Sequence, residues 1–148
     1  MRVEYLTRSH FLDAIENRAP TVVGTLDMML RAIDVYTMPK HGFAYMEDGT
    51  IYAVAGIFPL WEGCGEAWVI PTRVVKNRRI AVSRHLKKTL ARLGFEELKM
   101  HRVQSAVKVD FKEAHKLARF VGFKEEGLMK SYGPEGADYV RYAIWPTQ

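Results

Sequence analysis

Residues 69 to 88 read VIPTRVVKNRRIAVSRHLKK, a stretch that carries Arg73, Lys76, Arg78, Arg79, Arg84, Lys87 and Lys88 without a single acid. The first four lead into a run in which Ile80, Val82, Leu86, Leu90 and Leu93 recur at roughly helical spacing, with Gly94 read as its end. A helix start carries partial positive charge, so each cation placed there is disfavoured by about 0.3 to 1 kcal/mol. Either an anion such as a phosphate relieves that repulsion, or the side chains splay into solvent, where salt screens them over about 8 to 10 Å. The whole chain has 22 Lys or Arg and 17 Asp or Glu, for a net charge of +5, yet no acid lies between Glu66 and Glu96. The positive field is therefore local to one segment, not a general coating.

Other chemistries find less support. One cysteine, Cys64, cannot build a disulfide framework, and His10, His41, His85, His101 and His115 stand at no metal-ligand spacing. Only Cys64 and His101 lie near the segments argued below. No aromatic residues interleave with the cations of the basic stretch, which argues against a nucleic-acid surface. The opening MRVEYLTRSHF is not a leader, and the longest apolar run, IYAVAGIFPLW, is too short to span a bilayer and contains Pro59. The expectation is a soluble, cytoplasmic protein that takes no metal.

The elements that would hold this loop follow from periodicity. At 148 residues, 48% apolar and 26% charged, the chain is sized for one domain, residues 1–148, around one core. RVEYL alternates as a first strand, Ser9 can cap a helix HFLDAIENR that ends near Pro20, and Thr25 can cap a second helix. That second helix carries Leu26, Met29, Leu30, Ile33 and Tyr36 as one stripe. HGFAYME and TIYAVAGIFPLW flank Asp48-Gly49 as a hairpin, and GEAWVI adds a third antiparallel strand. The GIFPL part of the middle strand is apolar enough to be covered on both faces. After the basic helix come a strand, HRVQSAV, and a helix capped by Asp110 with Phe111, Ala114, Leu117, Ala118 and Val121 on one face. Gly122 terminates that helix, and two runs around Gly133-Pro134-Glu135-Gly136 close the chain as a hairpin. The order β-α-α-β-β-β-α-β-α-β-β is a mixed α/β (α+β) sheet with helices on both faces.

This order, with WEGCGEAWVIP and HRVQSAVKVDFKEAHKLARFVGFKEEGLMKSYGPEGADYVRYAI, resembles the GNAT superfamily of N-acetyltransferases over essentially the whole chain. The similarity is closest to small phage-encoded members, whose relatives include an internal virion protein. The resemblance implies acetyl-CoA as co-substrate and an amine, on a small molecule or a protein, as acceptor. It makes Glu66 the base, and the backbone near Val69 and Ile70 the support for the acetyl carbonyl and pantetheine. The pyrophosphate loop falls on Arg73 to Ala81, with Lys76, Asn77, Arg78, Arg79 and Ile80 within it, and Asp110 takes the place of a cofactor-side Asn. Ala118 stands where the family often has an acidic Tyr, so Tyr132, Tyr139 and Tyr142 are the substitutes, Tyr132 first. Tyr36, Trp61 and Trp68 are candidate acceptor-pocket residues.

Two features point a second way. The loop holds no glycine between Gly65 and Gly94, and the helix Tyr is missing. Glycines let a backbone approach phosphates closely; here the side chains of Lys76, Arg78 and Arg79 must substitute through charge-assisted hydrogen bonds. The alternative is a non-catalytic protein of the same fold, a virion component or host-interaction module of a phage or prophage, with phage virion or host proteins as partners.

Overall fold

The computed structural model describes residues 1–146. Its strands are β1 (Arg2–Tyr5), β2 (Gly42–Glu47), β3 (Thr50–Trp61), β4 (Cys64–Pro71), β5 (Arg102–Lys108), β6 (Lys124–Met129) and β7 (Tyr139–Ile144). They form one sheet in the order β1-β2-β3-β4-β5-β7-β6. Every neighbouring pair is antiparallel except β4 and β5. The helices are α1 (Arg8–Glu16), α2 (Leu26–Arg31), α3 (Ile33–Tyr36), α4 (Arg79–Ala91) and α5 (Lys112–Val121). This is the mixed α/β architecture the sequence order implies.

Strand alternation sorts the apolar residues into two cores, one per face. Ala44, Met46, Ile51, Val54 and Ile70 pack with Phe11, Ile15, Met29 and Ile33 of the first three helices. On the opposite face Phe43, Tyr45, Ala55, Ile57 and Ala67 pack with Leu86 and Leu90 of α4 and Ala118 and Val121 of α5. Among the described residues no helix is long and apolar enough to cross a membrane.

Several boundaries differ from the sequence reading. Thr7, not Ser9, caps α1: its hydroxyl accepts from the His10 N–H at 3.1 Å, while His10 Nδ1 accepts from the Thr7 N–H at 3.2 Å. Only the residue three before His10 can make that reciprocal pair. Thr25 caps α2 as expected, accepting from the Met28 N–H at 3.2 Å. The second helix then breaks at Ala32 (φ −98°, ψ 9°), so the apolar stripe splits: Met29 and Ile33 are buried, whereas Leu26 and Leu30 are exposed. The hairpin at Asp48-Gly49 is present, but β3 runs past the end of β2, whose last partner is Gly56. Past that point β3 has β4 on one side and no β2 on the other, and Pro59, Leu60 and Trp61 are exposed rather than covered on both faces, whereas Gly56 and Ile57 are buried.

Gly94 does not end the basic helix. The chain continues from α4 into a π-helical turn at Arg92–Glu97, and Gly94 is buried inside it. A side chain there would put its Cβ 2.9 Å from Val103 Cγ2 and 3.2 Å from Ile57 Cδ1, so the residue serves close helix-sheet approach rather than termination. Asp110 does not cap α5. The N-cap is Phe111, with no side-chain hydrogen bond, and Asp110 is exposed on the turn with Lys108 Nζ at 4.0 Å. The closing hairpin runs from Lys124, and its connection spans residues 130–138 around a short turn at Pro134–Gly136.

Candidate functional site

The one parallel pair is where the sheet comes apart. β4 and β5 share a ladder for three residues, Cys64↔Arg102, Gly65↔Val103 and Glu66↔Gln104. Beyond Glu66, β4 stays with β3 as far as Pro71, and β5 stays with β7 as far as Lys108. The backbone groups that β4 turns away from β3 at Ala67 and Val69 thus face a gap where β5 has left, while the next one, the Pro71 carbonyl, accepts from the Ala19 N–H at 2.8 Å. A cleft of about 720 Å³ occupies the split, with Phe111, Ala114 and Leu117 on its α5 side and Tyr36, Phe58 and Trp68 at its other end. Val69 faces the α4/α5 core, whereas Ile70 is buried among the first three helices.

Glu66 stands at the fork, and it is held. Arg141 Nη1, on β7, donates to both of its carboxylate oxygens at 3.1 Å, and Gln104 Nε2 donates to Oε1 at 3.1 Å. The two side chains of the ion pair are each 16% exposed. The network runs on through Arg102, which donates to Gln104 Oε1 at 2.9 Å and to both oxygens of Glu126. The Arg102 hydrogen bonds hold the Glu126 carboxyl below its usual range. Sequence reasoning missed Gln104, Arg102, Arg141 and Glu126. The available signal was a lone cation in YVRYAI and polar residues in the middle of HRVQSAV, both in strands otherwise built for a core.

Of the three substitute tyrosines, one is open. Tyr132 lies on the connection after β6, lines the cleft and is 55% exposed, with the Arg141 guanidinium 5.6 Å from its ring centroid. Tyr139 packs edge-on to it at 5.6 Å and is largely buried. Tyr142 is fully buried and engaged elsewhere. His115 Nε2 faces the carbonyls of Lys108 and Val109 at 3.0 and 3.1 Å, so that nitrogen carries hydrogen; Nδ1 then accepts from the Tyr142 hydroxyl at 2.7 Å.

At the other end the wall is aromatic. Tyr36 stands edge-on to Trp68 at 4.8 Å and to Phe58 at 5.8 Å, and stacks on Phe11 at 5.3 Å. Burial, helped by the Glu66 charge, pushes the Tyr36 hydroxyl above its ordinary pKa. Trp61 is not part of this wall: it is 65% exposed at the end of β3. Cys64 is buried in β4, and the exposed His101 packs its ring over Gly63.

The basic loop is less empty of acids than its sequence. A short turn at Val75–Asn77 leads into α4, whose start has no side-chain cap among the described residues. Val82 N–H bonds the Arg78 carbonyl at 3.0 Å, which leaves the N–H groups of Arg79, Ile80 and Ala81 outside the helix ladder. Arg78 Nη2 donates to Glu47 Oε1 at 2.8 Å, and Arg79 Nη1 donates to Glu113 Oε1 at 3.3 Å. Arg78 Nε is buried without a hydrogen-bond partner among the described residues. Arg73 is tied to the end of α1, its Nη2 on the Glu16 carbonyl at 3.3 Å and its backbone N–H on that of Asn17 at 2.9 Å. Lys76 and Asn77 are exposed, and Lys76 makes no ion pair among the described residues. Acids from elsewhere in the chain thus relieve Arg78 and Arg79, a third outcome beside a bound anion and a solvated side chain. Asp110, exposed beyond β5, is not among the residues lining the cleft.

No protein-family model matches the chain, and neither does any curated protein. Solved structures do. Ard1 from Thermoplasma volcanium superposes with a TM-score of 0.81 at 15% identity, over 99% of this chain and 98% of that one. An acetyltransferase of the GNAT family from Bacillus anthracis gives 0.72 at 18% identity, over 97% and 93%. YncA from Salmonella typhimurium, solved with its cofactor acetyl-CoA, gives 0.71 at 13% identity, over 97% and 92%. At such identities the likeness is one of fold, and it extends along nearly the whole chain.

Proposed function

We propose that this chain is an acetyl-CoA-dependent N-acetyltransferase acting on an amine. The observation that carries the reading is the fork in the sheet: a carboxylate, Glu66, at the point where β4 and β5 part, lining the cleft that fills the split. Two features suit the donor. The unpaired edge of β4 offers backbone hydrogen bonds to an amide-rich arm such as pantetheine, and the free N–H groups of Arg79, Ile80 and Ala81, with Lys76 beside them, suit a pyrophosphate. Acetyl-CoA supplies an acetyl thioester. The amine nitrogen bonds to the acetyl carbon, the carbon-sulfur bond breaks, Glu66 accepts the proton the nitrogen sheds, and Tyr132 returns one to the departing sulfur.

Arg141 and Gln104 act as positioning residues, fixing the carboxylate at the fork. Glu66→Gln should lower turnover by about 10² to 10⁴ while leaving acetyl-CoA affinity unchanged, as general-base loss does. Calorimetry with acetyl-CoA tests the donor site: micromolar binding is expected, and Lys76→Ala should weaken it roughly tenfold, the value of one charge-assisted hydrogen bond. No heat at millimolar acetyl-CoA would favour a second reading, a non-catalytic protein of this fold serving as an interaction module. That reading draws on the occupation of Arg78 and Arg79 by Glu47 and Glu113, the glycine-free loop and Ala118.

A further inference from the structure

The acceptor end of the cleft has an unusual charge count. Among the described residues lining the whole cleft, Glu66 is the one acid and Lys108 the one base. The negative charge of Glu66 is already met by Arg141, and Gln104 takes a further lone pair on Oε1. The acids on α2 and α3 do not help: Asp27 pairs with Arg31 at 3.0 Å and Asp34 with Arg8 at 2.9 Å, with side chains 71% and 91% exposed. What the cleft does offer there is an apolar surface, with the rings of Tyr36, Phe58 and Trp68, the thioethers of Met28 and Met29, and Tyr132 across the opening. Met28 is 53% exposed, a flexible apolar side chain able to fit a bulky neighbour.

Resting on the transferase reading, we infer that the acceptor is a small monoamine on an aromatic or apolar body, and that Arg141 excludes polycationic amines by holding the charge of Glu66. An incoming amine with a single nitrogen needs one polar partner at the fork, and the rest of its surface is desolvated against rings and methionines. A polyamine brings a second and third ammonium into the same apolar space. Each would be stripped of water with no carboxylate to receive it, which costs affinity unless the charge is paired.

The test compares phenethylamine with spermidine, titrated by calorimetry into the full chain and then assayed for thiol release with acetyl-CoA. Phenethylamine should bind at least tenfold more tightly, about 1.4 kcal/mol, and Phe58→Ala should weaken phenethylamine but not spermidine. Arg141→Gln should cut the preference about tenfold by freeing Glu66, while Arg141→Lys, which keeps the charge, should retain it. Thermal melts report whether each of the three variants is folded, and the Phe58→Ala comparison decides the matter should Arg141→Gln fail to fold. Equal or tighter binding of spermidine, a preference unmoved by Arg141→Gln, or no binding of either amine would overturn the inference. Acetyl-CoA binding is measured separately, so its loss sinks the transferase reading alone, and an absent amine preference with acetyl-CoA bound sinks this inference alone.

Discussion

Tyr45 and Thr89 join the sheet to α4 by a hydrogen bond of 2.5 Å inside the core. Its direction follows from what else the threonine does. Thr89 Oγ1 donates its single proton to the His85 carbonyl at 2.8 Å, so Tyr45 must be the donor in the bond between them. Tyr45→Phe removes a donor and leaves Thr89 its carbonyl bond, at a cost of about 1 kcal/mol. Thr89→Val strands a buried phenol and should cost more, about 1 to 3 kcal/mol, in urea denaturation. Burial also raises the Tyr45 pKa well above its ordinary value. The unfolded chain releases that proton near pH 10 and the folded chain holds it, so the stabilisation is intact below pH 10 and is lost as pH rises above it. Melting temperature should fall above pH 10, and Tyr45→Phe should reduce the slope.

Elements declare themselves in sequence when their signals are local. The Asp48-Gly49 turn, the Thr25 cap and the stop at Gly122, where φ is 113°, each rest on contacts within a few residues, and each stands where sequence places it. Gly94 shows the limit: the same residue type that ends helices also permits close packing, and only its neighbours, Val103 and Ile57 from two other strands, decide which. The side-chain pairings at the site are hidden for the same reason, although Glu66 itself is legible. Glu66 and Arg141 are 75 residues apart, Arg78 and Glu47 31, and Arg79 and Glu113 34, so no window along the chain contains both partners. Gly94→Ala gains about 0.8 to 1 kcal/mol of helix propensity yet forces its Cβ against Val103, an overpacking that costs about 1 to 3 kcal/mol. A net loss of about 1 kcal/mol is expected by urea denaturation, with Val103→Ala recovering part of it in a double-mutant cycle.

At the scale of the whole molecule, the two cores lie on opposite faces, and the sheet between them is continuous only where β4 meets β5 for three residues. Hydrogen exchange should register that seam. The Val69 amide faces the gap between Ala67 and Pro71, whereas the Trp68 and Ile70 amides pair with β3, so Val69 should exchange fast in the free protein. Saturating acetyl-CoA should slow that exchange and, at one hundred times its dissociation constant, stabilise the fold by about 2.7 kcal/mol. Unchanged exchange there, with acetyl-CoA bound, would place the ligand elsewhere.

The ion pairs at the start of α4 bear on how any anion arrives. Glu47 and Glu113 belong to the same chain as the arginines they hold, so they act as tethered ligands whose effective concentration does not fall on dilution. An anion that draws on Arg78 or Arg79 must displace a carboxylate already present, and its measured affinity is then the difference between two interactions. Lys76, with no such rival among the described residues, is the cation whose full attraction reaches an incoming phosphate.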